Sequence, residues 1–385
     1  MKGSINRMSR LTLSIIGTAV TQFGELWDRS LSDLFCEAAQ AAIADAGLKT
    51  EEIDAIFVAN KAAGSFENQS HLNALVSQCF PHFPPSMRIE AACASGGAAM
   101  LAAEYALRAG QYQTVLVVGV EKMTDVSAEE TTQILSSAAD ATAQYGSTFP
   151  ALYALLADAY LREHKLGHEV LAAVAVKNHK HALSNPKAQF HKEITIEDVL
   201  RSMVVAPPLH VLDCSPISDG AAAVVLTTQS RKGTRTKARI VGAGHGQDVV
   251  TLADRQSLTQ LPATRRAAQQ AFAQAKLEPQ DISVAEVHDC FTIAEVLALA
   301  DLGFFSQQDA STAALEEKTT YGGQVVINPS GGLKACGHPV GATGVKQVAY
   351  LAELLASSEY RYGLTHNVGG AGATAVVHIL KGVHA

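Results

Sequence analysis

The chain repeats one residue pattern in its two halves, and this duplication constrains the fold more than any other feature. Residues 38–48 carry Ala-Ala-Gln-x-Ala-x-Ala-x-Ala-x-Leu, and residues 267–277 carry the same pattern. Ile53 and Val58, which follow the first copy, recur as isoleucine and valine at the same spacing after the second. Alanine bias in amphipathic helices would explain the alanines but not this shared register. We therefore expect two α/β units with pseudo-twofold symmetry, whose loops meet at one site.

Strands that alternate with helices predict a layered α/β architecture. The first strand is expected at Leu11–Ile16, and Thr114–Val120 is a continuous apolar run typical of a central strand buried on both faces. Residues 121–205 are alanine-rich and mainly helical, so we interpret them as an insertion. The polar, basic segment 227–237 has the composition of a linker. The sequence thus predicts an N-terminal half at 1–235 and a C-terminal half at 236–385.

Charge and cysteine usage restrict the function classes. The formal net charge of the 385-residue chain is −7, so the chain as a whole has no basic footprint for nucleic acid. No segment has the length and apolar character of a membrane span. The six cysteines show neither C-x-x-C nor metal-ligand spacing. We expect reduced thiols, no bound metal and a cytoplasmic location.

Cys93 lies where a short extended segment enters a helix that we predict from Met100 to about Ala109. The unpaired amides and the positive dipole at a helix N-terminus favour an anion, so the thiol is expected to lose its proton more readily than usual. The small residues around it leave room for a substrate carbonyl, and the same amides could hold an oxyanion. A buried structural cysteine is the alternative from this stretch alone.

A second reactive stretch follows the expected strand Val284–Val287. His288, Asp289 and Cys290 come at its end, which is where α/β proteins place their ligands. A metal site or an ordinary polar loop are the alternatives, but further metal ligands at suitable spacing are missing.

The third stretch, residues 328–344, is rich in glycine, which indicates positive φ angles or close backbone contacts. His338 is predicted to begin a helix that continues to Leu355, and by the repeat it corresponds in position to Cys93. Neither G-x-G-x-x-G nor the P-loop pattern is present, so a nucleotide-type loop is disfavoured. Another glycine-rich turn follows at residues 366–372.

Taken together, these motifs resemble the thiolase superfamily over nearly the whole chain. The similar segments are the Cys93 turn, residues 215–221, residues 337–344 and the terminal glycine turn. His288-Asp289-Cys290-Phe291 is similar to the sterol-carrier-protein type, whereas classical thiolases carry Asn-Glu-x-Phe there. The classical terminal Cys-x-Gly is replaced by Asn367-Val368-Gly369. The resemblance implies that Cys290 takes over the role of that missing cysteine.

The resemblance implies a thiolase fold, with duplicated βαβαβαββ halves in five α-β-α-β-α layers and an inserted loop domain. It implies an acyl-CoA C-acyltransferase that makes or cleaves 3-ketoacyl-CoA through a cysteine acyl-enzyme. Cys93 would be the nucleophile, His338 its base and Cys290 the second acid/base. One oxyanion hole would use His288, and the other the amides of Cys93 and Gly369.

Acyl-CoA is the expected substrate, with no permanently bound cofactor. We expect its binding residues at Lys177 and Lys180 in the insertion and at Ser330, Gly331 and Gly332, although the lysines could equally belong to a solvated helix. A homodimer or homotetramer is expected, paired along the strand Thr114–Val120. A small OB-fold partner protein is a further candidate.

Three other functions compete. A decarboxylating ketoacyl synthase uses one cysteine and two histidines, which Cys93, His288 and His338 supply, but it would leave Cys290 without a role. Thiolase-like aldolases lack the nucleophilic cysteine. A lipid- or acyl-CoA-binding protein without catalysis would leave all four reactive positions unexplained.

Overall fold

The computed structural model describes residues 12–229 and 235–383. Its strands are β1 Leu13–Val20, β2 Ala55–Ala59, β3 Ser86–Ile89, β4 Thr114–Glu121, β5 Val204–Ala206, β6 Leu209–His210, β7 Gly220–Thr227, β8 Ala238–Gln247, β9 Val284–Glu286, β10 Val326–Ile327, β11 Tyr362–Gly369 and β12 Thr374–Gly382. Its α-helices are α1 Leu31–Asp45, α2 Ala63–Phe66, α3 Leu72–Ser77, α4 Ser95–Arg108, α5 Ala128–Ser136, α6 Phe149–His164, α7 Glu169–Ala182, α8 Ile196–Arg201, α9 Pro262–Ala275, α10 Thr292–Asp301, α11 Gln307–Thr312, α12 Gly332–Cys336 and α13 Thr343–Ser357.

The strand order shows the duplication directly. Within the described residues, ten strands form one mixed sheet in the order β10-β9-β11-β12-β8-β1-β7-β4-β2-β3. The half β3-β2-β4-β7-β1 has the same order and directions as the half β10-β9-β11-β12-β8. The halves join through a short antiparallel contact between β1 and β8. The predicted duplication is thus confirmed as two five-stranded units.

Each unit is covered on both faces, which gives the predicted five layers. In β2, Ile56 and Val58 pack under α1 and α3, while Ala55, Phe57 and Ala59 face α4 and α13 in the centre. Strands of the second unit pack against the same central helices on one face and against α9 and α10 on the other. Full burial of one side chain such as Phe57 contributes roughly 1.5–3 kcal/mol.

The position of β4 corrects the predicted subunit contact. All eight residues of β4 are buried, as the apolar run at Thr114–Val120 predicted. However, β4 is hydrogen-bonded to β2 on one side and β7 on the other. No edge of β4 is left for another subunit, so the prediction that subunits pair along this strand is wrong. The edge strands of the sheet are β3 and β10.

Two cysteines depart from the expected reduced state. Cys36 on α1 and Cys79, which follows α3, form a disulfide with their Cα atoms 6.0 Å apart. They meet because both segments pack on the outer cluster of the first unit. The cysteines Cys93, Cys214, Cys290 and Cys336 are free.

Glycines let the central helices approach closely enough to join the two units. A Cβ on Gly96, near the start of α4, would lie 2.6 Å from the backbone nitrogen of Gly344 near the start of α13. A Cβ on Gly119 would lie 2.4 Å from the carbonyl oxygen of Gly341. Real Cβ contacts are not this short, so these positions need glycine. They bring the helix starts, and the loops before them, to one place.

The predicted insertion is observed as helices α5, α6, α7 and α8 followed by the β5–β6 hairpin. The boundary between the halves at 235/236 stays a prediction, since residues 230–234 of the expected linker lie outside the described part, as does Leu11 of the expected first strand. Within the described residues, no helix is both long and apolar enough to cross a membrane.

Candidate active site

Cys93 lies in a tight turn between β3 and α4. The hydroxyl of Ser95 accepts a hydrogen bond from the Ala91 amide (2.9 Å) and donates one to the Ala92 carbonyl (2.6 Å). Ala92 has φ of 52°, a left-handed conformation that costs a non-glycine residue about 1–3 kcal/mol. α4 begins at Ser95, earlier than the predicted Met100, so Cys93 stands two residues before the helix as its sequence pattern indicated.

The structure brings the predicted catalytic residues together. One ligand atom each from Cys93, His288 and His338 lie within 4.8 Å of one another. The rings of His288 and His338 meet edge to face with centroids 5.1 Å apart. A cavity of about 350 Å³, lined mainly by apolar side chains of the insertion, reaches Cys93, His338 and Cys290. Cysteine and histidine are zinc-ligand types, so the trio could hold a metal by residue type; the absence of a metal stays a prediction.

His338 lies in the loop between α12 and α13, five residues before α13 rather than at its first residue as predicted. Its backbone amide donates to the Ser218 hydroxyl at 3.0 Å. Its Nδ1 lies 2.6 Å from the Thr343 hydroxyl, which itself donates to the Pro339 carbonyl at 3.1 Å. Because the Thr343 hydroxyl already donates its proton to Pro339, the His338 Nδ1 must donate to the Thr343 oxygen. The His338 Nε2 therefore keeps a free lone pair. Burial, and then the Lys346 ammonium, lower the pKa of His338 to about 3, so the ring is neutral.

His288 and Cys290 follow β9; Cys290 lines the cavity, and His288 lies beside Cys93 and His338. His288 is 1% exposed, and its Nε2 has no hydrogen-bond partner among the described residues. Burial lowers the pKa of His288 well below its ordinary value. Burial, and then the nearby Cys93, raise the pKa of Cys290 well above its ordinary value, although a hydrogen bond with Tyr153 acts in the opposite direction. The resting site therefore holds neutral imidazoles and a Cys290 thiol.

The predicted acidification of Cys93 is wrong for the free enzyme. Burial raises the pKa of the Cys93 thiol to about 11, although the Lys61 ammonium and a hydrogen bond from the Gly370 amide act in the opposite direction. The loss of water around the sulfur outweighs the helix N-terminus.

The amide that hydrogen-bonds to the Cys93 sulfur belongs to Gly370, whereas the sequence predicted Gly369 as an oxyanion donor. Gly369 is the last residue of β11, and a Cβ there would lie 2.6 Å from the Ala91 carbonyl oxygen. The Gly370 carbonyl accepts from the Tyr153 hydroxyl at 3.1 Å, which fixes the turn. Tyr153 thus contacts both the glycine turn and Cys290, and no sequence motif marks it.

Most of the residues predicted to bind coenzyme A do not reach the cavity. Lys177 is buried, forms an ion pair with Glu295 at 2.6 Å and donates to the Ile327 carbonyl, so it is not available for phosphates. Ser330 is buried and donates to Glu286 at 2.7 Å. The prediction is wrong for these two, because both side chains are buried and bonded to internal partners.

Gly331 and Gly332 are also buried and do not line this cavity, and their predicted substrate contact stays a prediction. A Cβ on Gly332 would lie 2.2 Å from a carboxylate oxygen of Asp289. That carboxylate accepts from the Leu333 amide at 2.6 Å at the start of α12. Gly332 therefore lets Asp289 reach the α12 amides. Lys180 is exposed at the end of α7 and stays a prediction.

Two buried carboxylates that sequence reasoning missed organise the loops. Glu121, at the end of β4, accepts from the amides of Lys61 (2.8 Å), Ala62 (2.9 Å) and Gly341 (2.9 Å). Asp219, before β7, accepts from the Lys122 ammonium at 2.7 Å and from several backbone amides. For Glu121, the available sequence signal is an acidic residue at the end of an apolar strand. Glu121 holds the glycine loop that precedes α13 against the β2 end.

Comparisons with known proteins agree with this geometry. The model of the thiolase N-terminal domain matches residues 13–230, and that of the thiolase C-terminal domain matches residues 244–382. The chain is 44% identical to an acetyl-CoA acetyltransferase of Methanothermobacter thermautotrophicus, over 96% of this chain and 99% of that protein. It is 30% identical to human sterol carrier protein 2, over 94% of this chain and 70% of that protein.

Solved structures show the same fold. The Ltp2–ChsH2(DUF35) aldolase superposes with a TM-score of 0.83 at 27% identity, covering 97% of this chain and 98% of that one. Human mitochondrial 3-ketoacyl-CoA thiolase in complex with CoA superposes with a TM-score of 0.77 at 19% identity, with 97% and 98% covered. Both family models, the relatives at 44% and 30% identity and the shared fold give one result: the chain belongs to the thiolase family.

Proposed function

We propose that the protein is an acyl-CoA C-acyltransferase that makes or cleaves 3-ketoacyl-CoA through an acyl group on Cys93. The observation that carries this proposal is the meeting of Cys93, His288 and His338 within 4.8 Å at a cavity that Cys290 also lines. The relatives named acetyl-CoA acetyltransferase support acetyl-CoA as donor.

In the first step, the His338 Nε2 takes the thiol proton as the Cys93 sulfur attacks the thioester carbonyl. The amides of the Cys93 turn and the glycine turn at 369–370 stabilise the tetrahedral oxyanion. The intermediate collapses by breaking the bond to the CoA sulfur, and that sulfur takes a proton from the Cys290 thiol. The site then holds acyl-Cys93, a protonated His338 and a Cys290 thiolate.

In the second step, the Cys290 thiolate removes an α-proton from a second acyl-CoA. His288 Nε2 donates to the thioester oxygen that becomes negative. The α-carbon attacks the acyl carbonyl on Cys93, so a carbon–carbon bond forms and the bond to the Cys93 sulfur breaks. The departing sulfur regains its proton from His338. Thiolysis is the same sequence in reverse, so the residues serve both directions.

A panel of acyl-CoA thioesters, assayed in both directions with the wild-type protein and Cys93→Ala, tests the activity. Acetoacetyl-CoA formation from acetyl-CoA and its thiolysis should both occur and both be lost in Cys93→Ala. The cysteine and two histidines also suit a decarboxylating synthase. Turnover of a malonyl thioester alone, without acetyl-CoA condensation or thiolysis, would favour that enzyme.

Assembly and location are part of the same proposal. The subunits of this protein are proposed to pair through the edge strand β3. Met87 (52%) on this strand, Phe83 (65%) before it and Tyr105 (62%) on α4 are exposed apolar side chains. Two such dimers would form a tetramer. The aldolase relative, which pairs with a DUF35 protein, supports a small partner protein. The free thiols at Cys93 and Cys290 support the cytoplasm, whereas the Cys36–Cys79 disulfide is of a kind that is rare there.

Coenzyme A acts as a substrate in this proposal, and no cofactor is permanently bound. In the alternative, a lipid-binding protein without catalysis, no acyl group on Cys93 would be needed. The exposed Lys180 remains the candidate contact for a CoA phosphate.

A further inference from the structure

Asn367 occupies the place of the missing terminal cysteine, and its orientation is fixed by its contacts. The Gly97 backbone amide donates to the Asn367 side chain at 2.9 Å. Since an amide N–H only donates, the atom that it meets is the carbonyl oxygen Oδ1. The Nδ2 group therefore faces the other way, toward the Cys93 carbonyl oxygen at 2.9 Å and the His288 Nδ1 at 3.3 Å.

The surroundings are shaped to this side chain. Asn367 is 2% exposed. A Cβ on Gly344 would lie 2.3 Å from Oδ1, and a Cβ on Gly97 would lie 3.2 Å from it. Two helix-start glycines thus leave the space that the amide fills, and one side chain joins the nucleophile turn, α4 and the β9 end.

The contact with Nδ2 decides where His288 carries its proton. Nδ2 donates, so Nδ1 of His288 must accept with its lone pair. A neutral ring then has its proton on Nε2, the atom that has no partner among the described residues. The titratable groups that face this ring are Cys93, His338 and His366. His338, whose Nδ1 donates to Thr343, holds the opposite tautomer.

We propose that Asn367 is a positioning residue that holds His288 in its Nε2–H tautomer, so that Nε2–H donates to the thioester oxygen during carbon–carbon bond formation. This role rests on the proposed function. It gives the two histidines different tasks through their neighbours: His338 offers a lone pair and His288 a proton. The same tautomer opposes metal binding by the trio, since a metal ligand needs a lone pair at Nε2.

Asn367→Asp keeps the size and the acceptor for Gly97 but replaces the donor by a carboxylate. Nδ1 of His288 must then carry a proton, and the carboxylate raises the pKa of His288. At low pH the His288 imidazolium still donates from Nε2. At higher pH the neutral ring keeps its proton on Nδ1, so Nε2 no longer donates. The ratio of variant to wild-type condensation should therefore be highest at low pH and fall by roughly 10²-fold above the new pKa. Acetyl transfer onto Cys93 should depend less on pH.

Gln347→Glu is the matched control, because Gln347 is equally buried, donates to the His366 carbonyl at 3.0 Å and contacts no catalytic group. It should lower thermal stability without giving the pH-dependent ratio. When His288 is already replaced by alanine, Asn367→Asp should cause little further loss of condensation activity. Two results would overturn the positioning role of Asn367. One is a ratio of variant to wild-type condensation that stays constant from about pH 6 to 9, and the other is a full additional loss of condensation when Asn367→Asp is added to His288→Ala.

A second measurement does not need activity. Long-range proton–nitrogen NMR of histidine-labelled wild-type protein should show the His288 proton on Nε2. A proton on Nδ1 would overturn the inference even if the enzyme condenses acetyl-CoA. If the wild-type protein neither condenses nor cleaves any thioester, the proposed function fails, whereas this spectrum still decides the tautomer. It also decides the question if Asn367→Asp does not fold.

Discussion

Alkylation of Cys93 by iodoacetamide should be slow and should rise steeply with pH. A thiol with a pKa of about 11 is ionised to only about 10⁻⁴ at pH 7, against about 10⁻² for an ordinary thiol with a pKa of 9.0. Because the thiolate is the reacting form, the resting enzyme should react about 100-fold more slowly than an ordinary cysteine. The rate should increase about tenfold per pH unit up to about pH 10.

The measurement is the pseudo-first-order rate of Cys93 modification, followed by peptide mass spectrometry across that pH range. Cys214 lines the same cavity, and burial raises its pKa to about 12, so it serves as an internal comparison. His338→Ala should change the rate by less than a few-fold. The His338 pKa of about 3 leaves its ring uncharged at neutral pH, and removing a neutral ring takes no stabilising charge away.

A different resting state would give a different profile. If Cys93 and His338 formed a thiolate–imidazolium pair, the rate would be high and level from about pH 5 to 8, and His338→Ala would lower it by orders of magnitude. That profile would refute the conclusion that burial outweighs the helix N-terminus at this sulfur.

Three further predictions follow from named contacts. Cys290→Ala should leave acetyl transfer to Cys93 largely intact, because the CoA sulfur can leave as a thiolate without the Cys290 proton, while exchange of acetyl-CoA methyl protons with deuterated water falls by about 10²–10⁴; an unchanged exchange rate would make Cys290 a packing residue. Gly96→Ala should destabilise the fold by about 2–4 kcal/mol in denaturant unfolding and misplace Cys93, because its Cβ would meet the Gly344 amide; a stability change below about 0.5 kcal/mol would contradict that contact. Met87→Asp should shift sedimentation toward a monomer, while an unchanged dimer would place the contact elsewhere than β3.

The sequence predicted the duplicated fold because apolar periodicity and local turns are short-range properties. The copies at 38–48 and 267–277 became α1 and α9, and the apolar run at β4 became a buried strand. The candidate catalytic residues could also be singled out, since each follows a strand end or lies in a glycine-rich turn. Their contacts could not, since the distances between Cys93, His288 and His338 depend on how the two halves pack.

The wrong predictions share one physical cause, which is burial that depends on distant parts of the chain. Lys177 has the sequence context of an exposed lysine but faces Glu295, which is 118 residues further along. The Cys93 thiol has the position of an activated nucleophile, but its pKa follows from the loss of water around it. The sequence marks Asn367 only as the residue that replaces the terminal cysteine. Its positioning role could not be predicted, since its bonds to Gly97 and His288 join residues far apart in the sequence.

The identity of the acylated cysteine tests the central claim most directly. The wild-type protein is mixed with acetyl-CoA, quenched in acid and mapped by peptide mass spectrometry, with Cys290→Ala treated in parallel. The account predicts one acetyl group on Cys93 in both proteins. An acetyl group on Cys290 with Cys93 unmodified, or no acetyl-enzyme at all while the protein turns over acetyl-CoA, would contradict it.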